Sequence, residues 1–231
     1  MSRYFLFVLV FFCRDAAGQN SKRLIDQFRQ ANKSLDLAYD YKIRLKDMKI
    51  RKSVDSITGH MACRANNYKD SCADYFMGRS GNYFYRIDHI EKTFAYQNLS
   101  GIKSKAIKDG GNAAGNVIMN ISDSLVQFYG GHINVDSGDN YYRLRVSMKN
   151  FNVSYVQVDF DKQSFRLIGA YIEALDNGAV QNSGYLTQYF LTNVRYGVSE
   201  KEIGFTNLFM MKGGQPVLGK RFSNYTLKSL M

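Results

Sequence analysis

Between Leu35 and Lys46 the chain alternates without a break. Leu35, Leu37, Tyr39, Tyr41, Ile43 and Leu45 are interleaved with Asp36, Ala38, Asp40, Lys42, Arg44 and Lys46. A two-residue period held this long cannot be helical, because helical side chains repeat every ~3.6 residues. It specifies a long strand with one buried and one solvated face. After Asp47 the phase slips by one, to Met48 and Ile50, which predicts a bulge or a bend.

Two later stretches fold back on themselves: "YFYRIDHIEKTFAYQN" from Tyr83 turns at "HIEK", and "VSYVQVDFDKQSFRLIGAYI" from Val153 turns at "DKQS". From Tyr141 the alternation resumes, with Tyr142, Leu144, Val146 and Met148 on one side and Arg143, Arg145, Ser147 and Lys149 on the other. Such a chain builds antiparallel sheet.

Around these strands, Leu24, Ile25, Phe28 and Ala31 mark one face of an N-terminal helix, capped by Asn20 or Ser21. Residues 56–77 read as a hairpin whose loop lies between Cys63 and Cys72. The glycine-rich run 100–116 reads as a loop, and "ISDSLVQFYGG" as a short helix or a strand. No internal repeat and no Pro- or Ser-rich linker divides the chain, so residues 19–231 are expected to form one domain.

The first residues, "MSRYFLFVLVFFC", place one Arg before an apolar run too short to span a bilayer, which takes about 20 residues. Small residues follow at Ala16 and Gly18. Residues 1–18 therefore read as a secretory signal peptide, and the protein as exported to the periplasm. The alternative is a lipid anchor through Cys13. Export leaves Cys63 and Cys72, which we expect to form a disulfide, with two free thiols as the alternative. Sequons at Asn32, Asn98, Asn120, Asn152 and Asn224 bear on a eukaryotic secretory pathway only.

A formal charge of +11 favours anionic partners. The densest basic stretch, "KIRLKDMKIRK" (residues 42–52), mostly alternates with apolar residues, as on the solvated face of a strand, so no nucleic-acid partner is expected. The three histidines are scattered, and no catalytic or phosphate-binding motif is present. The carboxylate pairs Asp70/Asp74 and Asp159/Asp161 fall at expected loops and turns. A metal site would need His60, both cysteines and a fourth ligand that the sequence does not offer. Neither an enzyme nor a cofactor or metal is expected.

The order of elements carries a resemblance. A leader, a capped helix, "LDLAYDYKIRLKD", "SITGHM", "NYFYRIDHIEKTFAYQN" and "YYRLRVSM…YVQVDFDKQSFRLIGAYI" together are similar to the outer-membrane lipoprotein carrier (LolA/LolB-like) superfamily. This implies a mainly β (α+β) fold: a curved antiparallel sheet or unclosed half-barrel, with the N-terminal helix and one or two short helices packed on its concave face. It also implies a carrier that holds a lipid or a lipoprotein acyl group, with transient contact to a membrane surface. The cavity-lining candidates are then Leu37, Tyr39, Tyr41, Ile43, Tyr85, Ile87, Leu144 and Val146, with Arg86 as the candidate gate arginine. The family's Trp has no counterpart, since the chain contains none. The alternative is an exported structural or protein-interaction module with a packed core and no small ligand.

Overall fold

The structure is a computed structural model that describes residues 21–32, 36–65, 67–100, 126, 128, 130–149, 152–175, 184–204, 208–213 and 215–229. Residues 1–20, with the leader and Cys13, lie outside the described residues, as do most of the loop read at 100–116 and the sequon at Asn120.

Helix α1 covers residues 21–31. The strands follow in chain order: β1 (Leu37–Asp47), β2 (Lys52–Arg64), β3 (Asn67–Cys72), β4 (Tyr75–Ser80), β5 (Tyr83–Asp88) and β6 (Thr93–Asn98). Then come β7 (His132–Ser137), β8 (Tyr141–Ser147), β9 (Val153–Asp161), β10 (Leu167–Leu175) and β11 (Tyr185–Tyr196). A short helix α2 (Glu200–Ile203), the hairpin β12 (Phe209–Lys212) and β13 (Gln215–Leu218), a 3-10 turn (Lys220–Phe222) and β14 (Thr226–Ser229) follow. Among the described residues, no helix is long and apolar enough to cross a membrane.

Among the described residues, twelve strands form one open sheet in the order β14-β6-β5-β4-β3-β2-β1-β11-β10-β9-β8-β7, and β12 and β13 pair separately. The large sheet is antiparallel except at one edge, where β14 runs parallel to β6. It is the unclosed, mainly β arrangement expected from the sequence. The tail "FSNYTLKSL" supplies an edge strand there.

Three hairpin turns share one local chemistry. The carboxylates of Asp47, Asp88 and Asp161 each accept hydrogen bonds from the backbone N–H groups two and three residues on, at 2.7–3.2 Å. The residue four on takes left-handed backbone angles: Arg51 at φ 56°, Lys92 at φ 51° and Phe165 at φ 56°. Asp favours this geometry because its short carboxylate mimics a backbone acceptor. The phase slip after Asp47 is the first of these turns, and a register shift also lies just before it, between Leu45 and Lys46.

The sheet has two covered faces. On one, Leu24, Ile25 and Phe28 of α1 pack with Leu37 and Tyr39 of β1, Met61 and Cys63 of β2, and the inward residues of β8 to β11. Phe28 lies 5.2 Å from Phe160, centroid to centroid. On the opposite face, Leu208, Phe209 and Phe222 pack over Tyr85, Ile87 and Phe94, while Val198 and Ile203 cover Ala38 and Ala62. We call these the helix face and the tail face. Val126, in the segment read as a helix or a strand, is helical and joins the helix-face core. Helix α2 sits on the tail face, not beside α1.

Candidate functional site

The sequence-derived candidates divide between the two faces. Directly opposed residues of an antiparallel pair share a face. Tyr39 opposes Met61, Met61 opposes Asp70, Asp70 opposes Met77 and Met77 opposes Arg86. Arg86 is thus on the helix face, and Tyr85 and Ile87 are on the tail face. Leu37, Tyr39, Leu144 and Val146 are buried against α1, whereas Tyr41 and Ile43 are half-buried farther along β1.

Two corrections follow. Tyr85 and Ile87 are core residues of the tail-face layer and do not line the space under α1. Tyr85 stands 5.6 Å from Phe209, centroid to centroid. Arg86 is exposed, with its guanidinium directed to Asp88 at 3.4 Å, so it is a solvent-facing side chain and not part of a buried lining.

The expected disulfide is a third correction. Both cysteines are free. The turn falls at Ala65 (φ 51°), and most of the expected loop is strand β3. Cys63 opposes Tyr68 and Cys72 opposes Gly59. That offset of four positions is roughly 13 Å along the strands, against the ~4.4–6.8 Å between Cα atoms that a disulfide spans. Burial pushes the Cys63 thiol up to about 12, with the nearby Asp70 charge adding to it. Cys63 is therefore a protonated packing residue.

Asp70, read from sequence as a loop acid, is instead buried in β3 at 5% exposure. It accepts hydrogen bonds from the Tyr41 hydroxyl at 2.7 Å and the Tyr75 hydroxyl at 3.3 Å. Desolvation raises its pKa, although both phenols and the Ser71 backbone pull the other way. Desolvation in turn raises Tyr41, Tyr75, Tyr68 and Tyr39. This polar cluster lies on the helix face, beside the α1 core. No local sequence signal sets Asp70 apart from a turn acid.

Asn32 was also missed, beyond being noted as a sequon. It is 2% exposed at the end of α1. Its amide nitrogen donates to the carbonyls of Phe28 (2.6 Å) and Phe165 (2.9 Å). Its oxygen accepts from Leu167 N–H (3.1 Å) and the Tyr196 hydroxyl (2.6 Å). With both polar atoms of its side chain engaged, Asn32 is no glycan acceptor in the folded protein. It pins the end of α1 to β10 and β11.

On the tail face, His60 Nδ1 lies 2.8 Å from Asp40 Oδ1, and Asn193 donates to the other carboxylate oxygen. The Asn193 and His60 contacts hold Asp40 below the usual carboxylate range. Ser71 is opposite His60, but its hydroxyl donates to the His60 carbonyl oxygen. The His60 and Asp40 side chains are 40% and 47% exposed. The contact is an open surface pair.

No protein-family model and no curated protein sequence matches the chain. Among solved structures, the chain is similar to a LolA superfamily protein from Nitrosomonas europaea, with 11% identity and a TM-score of 0.33 over 79% of this chain and 96% of that one. It is also similar to the Mycobacterium tuberculosis lipoprotein LppX, with 14% identity and a TM-score of 0.38 over 77% and 97%. A third is a chain of the Pseudomonas aeruginosa MucA/MucB complex, with 6% identity and a TM-score of 0.37 over 87% and 63%. The first of these carries the name of the superfamily that the order of elements resembles.

Proposed function

We propose that this is an exported binding protein, cut after Gly18, that holds an alkyl chain between α1 and the helix face of the sheet. The supporting observation is the way that face is sealed. Apolar residues from β1, β2 and β8 to β11 pack together as one cluster with Leu24, Ile25 and Phe28 of α1, which Asn32 pins at its C-terminal end. Displacement of Leu24, Ile25 and Phe28 would open a surface lined by Leu37, Tyr39, Leu144 and Val146. Each buried methylene of a ligand would then contribute about 0.8 kcal/mol.

A second reading, a packed interaction module without a small ligand, is favoured by the depth of burial. Leu37 and Tyr39 are each 4% exposed, as in an ordinary core. Native mass spectrometry of protein purified without detergent, before and after incubation with phosphatidylglycerol, separates the two. A bound mass in the lipid range that organic extraction removes supports the binding protein. A mass that stays at the bare chain under both conditions overturns it in favour of the module.

A further inference from the structure

The β1–β2 hairpin projects beyond its neighbour. Strand β3 pairs with β2 only from Gly59 to Arg64, so among the described residues Lys52 to Thr58 form an arm with no strand on the outer side. Every residue of that stretch is exposed. At its end Met48 is 44%, Ile50 58% and Val54 49% exposed. Isolated exposed apolar side chains are ordinary, but here three lie within residues 48–54, at and beside one turn.

The same tip is cationic. Lys49, Arg51 and Lys52 are exposed with no acid among residues 48–54, and Lys42, Arg44 and Lys46 continue the positive charge along β1. Asp47 is the only acid in residues 42–52. Its carboxylate is turned into the loop, where it accepts from Lys49 N–H at 2.7 Å and Ile50 N–H at 3.2 Å. That turn, closed by Arg51 at φ 56°, holds the tip in one shape. The N–H of Met48 is tied to the Gly184 carbonyl at 2.7 Å, which anchors the tip to the start of β11.

Apolar side chains at the apex with cations at their flanks match the boundary of an anionic bilayer, where alkyl groups enter below the head groups and ammonium or guanidinium groups meet phosphate. We infer that the β1–β2 tip docks the protein on an anionic membrane surface, with Met48 and Ile50 entering the interface and Lys49, Arg51 and Lys52 binding lipid phosphates. This goes beyond the binding reading and does not depend on it, because docking is measured without a ligand under α1.

The test is flotation with vesicles of phosphatidylcholine alone or mixed with phosphatidylglycerol. The protein is expected to float only with the mixed vesicles. Combined Lys49→Gln, Arg51→Gln and Lys52→Gln should weaken partitioning on the order of a hundredfold, from roughly fivefold per cation near an anionic surface. Met48→Ser with Ile50→Ser should weaken it at least about tenfold with the charge unchanged. As a control of equal charge, the exposed Lys201, Lys212 and Lys220 are changed to Gln. That set should leave binding within about twofold. Equal loss in the tip and control sets would reduce the effect to net charge and overturn the assignment. So would flotation with neither vesicle, or tip variants that dissolve a dimer in sedimentation without altering flotation.

Discussion

Tyr41 on β1 reaches Asp70 on β3 by crossing Gly59 on the strand between them. Tyr41 and Gly59 are directly opposed, and the hydroxyl–carboxylate distance is 2.7 Å. A Cβ at position 59 would lie 2.3 Å from the Tyr41 oxygen and 2.6 Å from the Ser71 carbonyl oxygen. Glycine is needed here for close approach, while its backbone angles are ordinary. The phenol in turn covers the backbone that glycine leaves bare.

Gly59→Ala is therefore expected to destabilise the protein by about 1–3 kcal/mol, since backbone as well as the ring must shift. Tyr41→Phe removes the shorter of the two phenolic donors to a buried carboxylate and should cost about 1–3 kcal/mol. Urea denaturation of both single variants and the double variant is the check. Because both changes disturb one contact, the double variant should lose less than the sum.

The raised pKa of Asp70 has a pH signature. Where a folded-state pKa lies above the unfolded value, the folded protein binds the proton more readily, so stability falls as pH rises through that interval. Below the unfolded carboxylate value the penalty vanishes; above the folded value it is complete. Asp70→Asn removes this term. The melting temperature of the variant relative to the parent should therefore rise with pH upward from about 4 and then level off. A difference that stays constant from pH 3 to pH 8 would mean that Asp70 titrates normally.

Asn32→Ala should unfasten α1. It leaves the Tyr196 hydroxyl, the Leu167 N–H and the Phe165 carbonyl without their Asn32 contacts, although Tyr196 retains a 3.2 Å contact to the Leu167 carbonyl. The expected cost is about 2–4 kcal/mol. Hydrogen exchange resolved by segment should show faster exchange in α1 than in β8 to β10, because the sheet's own ladder is untouched.

Thiol labelling tests the free cysteines. Without reductant, both should alkylate in denaturant, and peptide mapping should find no linked pair. In the folded protein Cys63 should stay unlabelled, because it is buried and its thiolate is suppressed by desolvation. Cys72 is half-buried and should label first.

What the sequence determined by itself is local. The alternation along β1 and β8, the apolar stripe of α1 and the turns after Asp88 and Asp161 each arise from residues within a few positions of one another. Period, side-chain shape and short-range hydrogen bonding are enough to specify them. The mainly antiparallel strands were legible for that reason, while the openness of the sheet was an implication of the family resemblance.

Which face a residue occupies was left to the tertiary structure. Alternation divides Tyr83–Asp88 into two sets but does not say which set lies with Leu37 and Tyr39. That parity passes through the pairings of β1 with β2, β2 with β3, β3 with β4 and β4 with β5, and a slip of one residue at any of them inverts it. Carried through, it places Tyr85 and Ile87 under Phe209 and leaves Arg86 in solvent on the side of α1. The burial of Asp70, the offset of Cys63 from Cys72 and the reach of Asn32 to Leu167, 135 residues away, are likewise long-range register and packing. No local window of residues contains that information, because only the pairing of distant strands creates it.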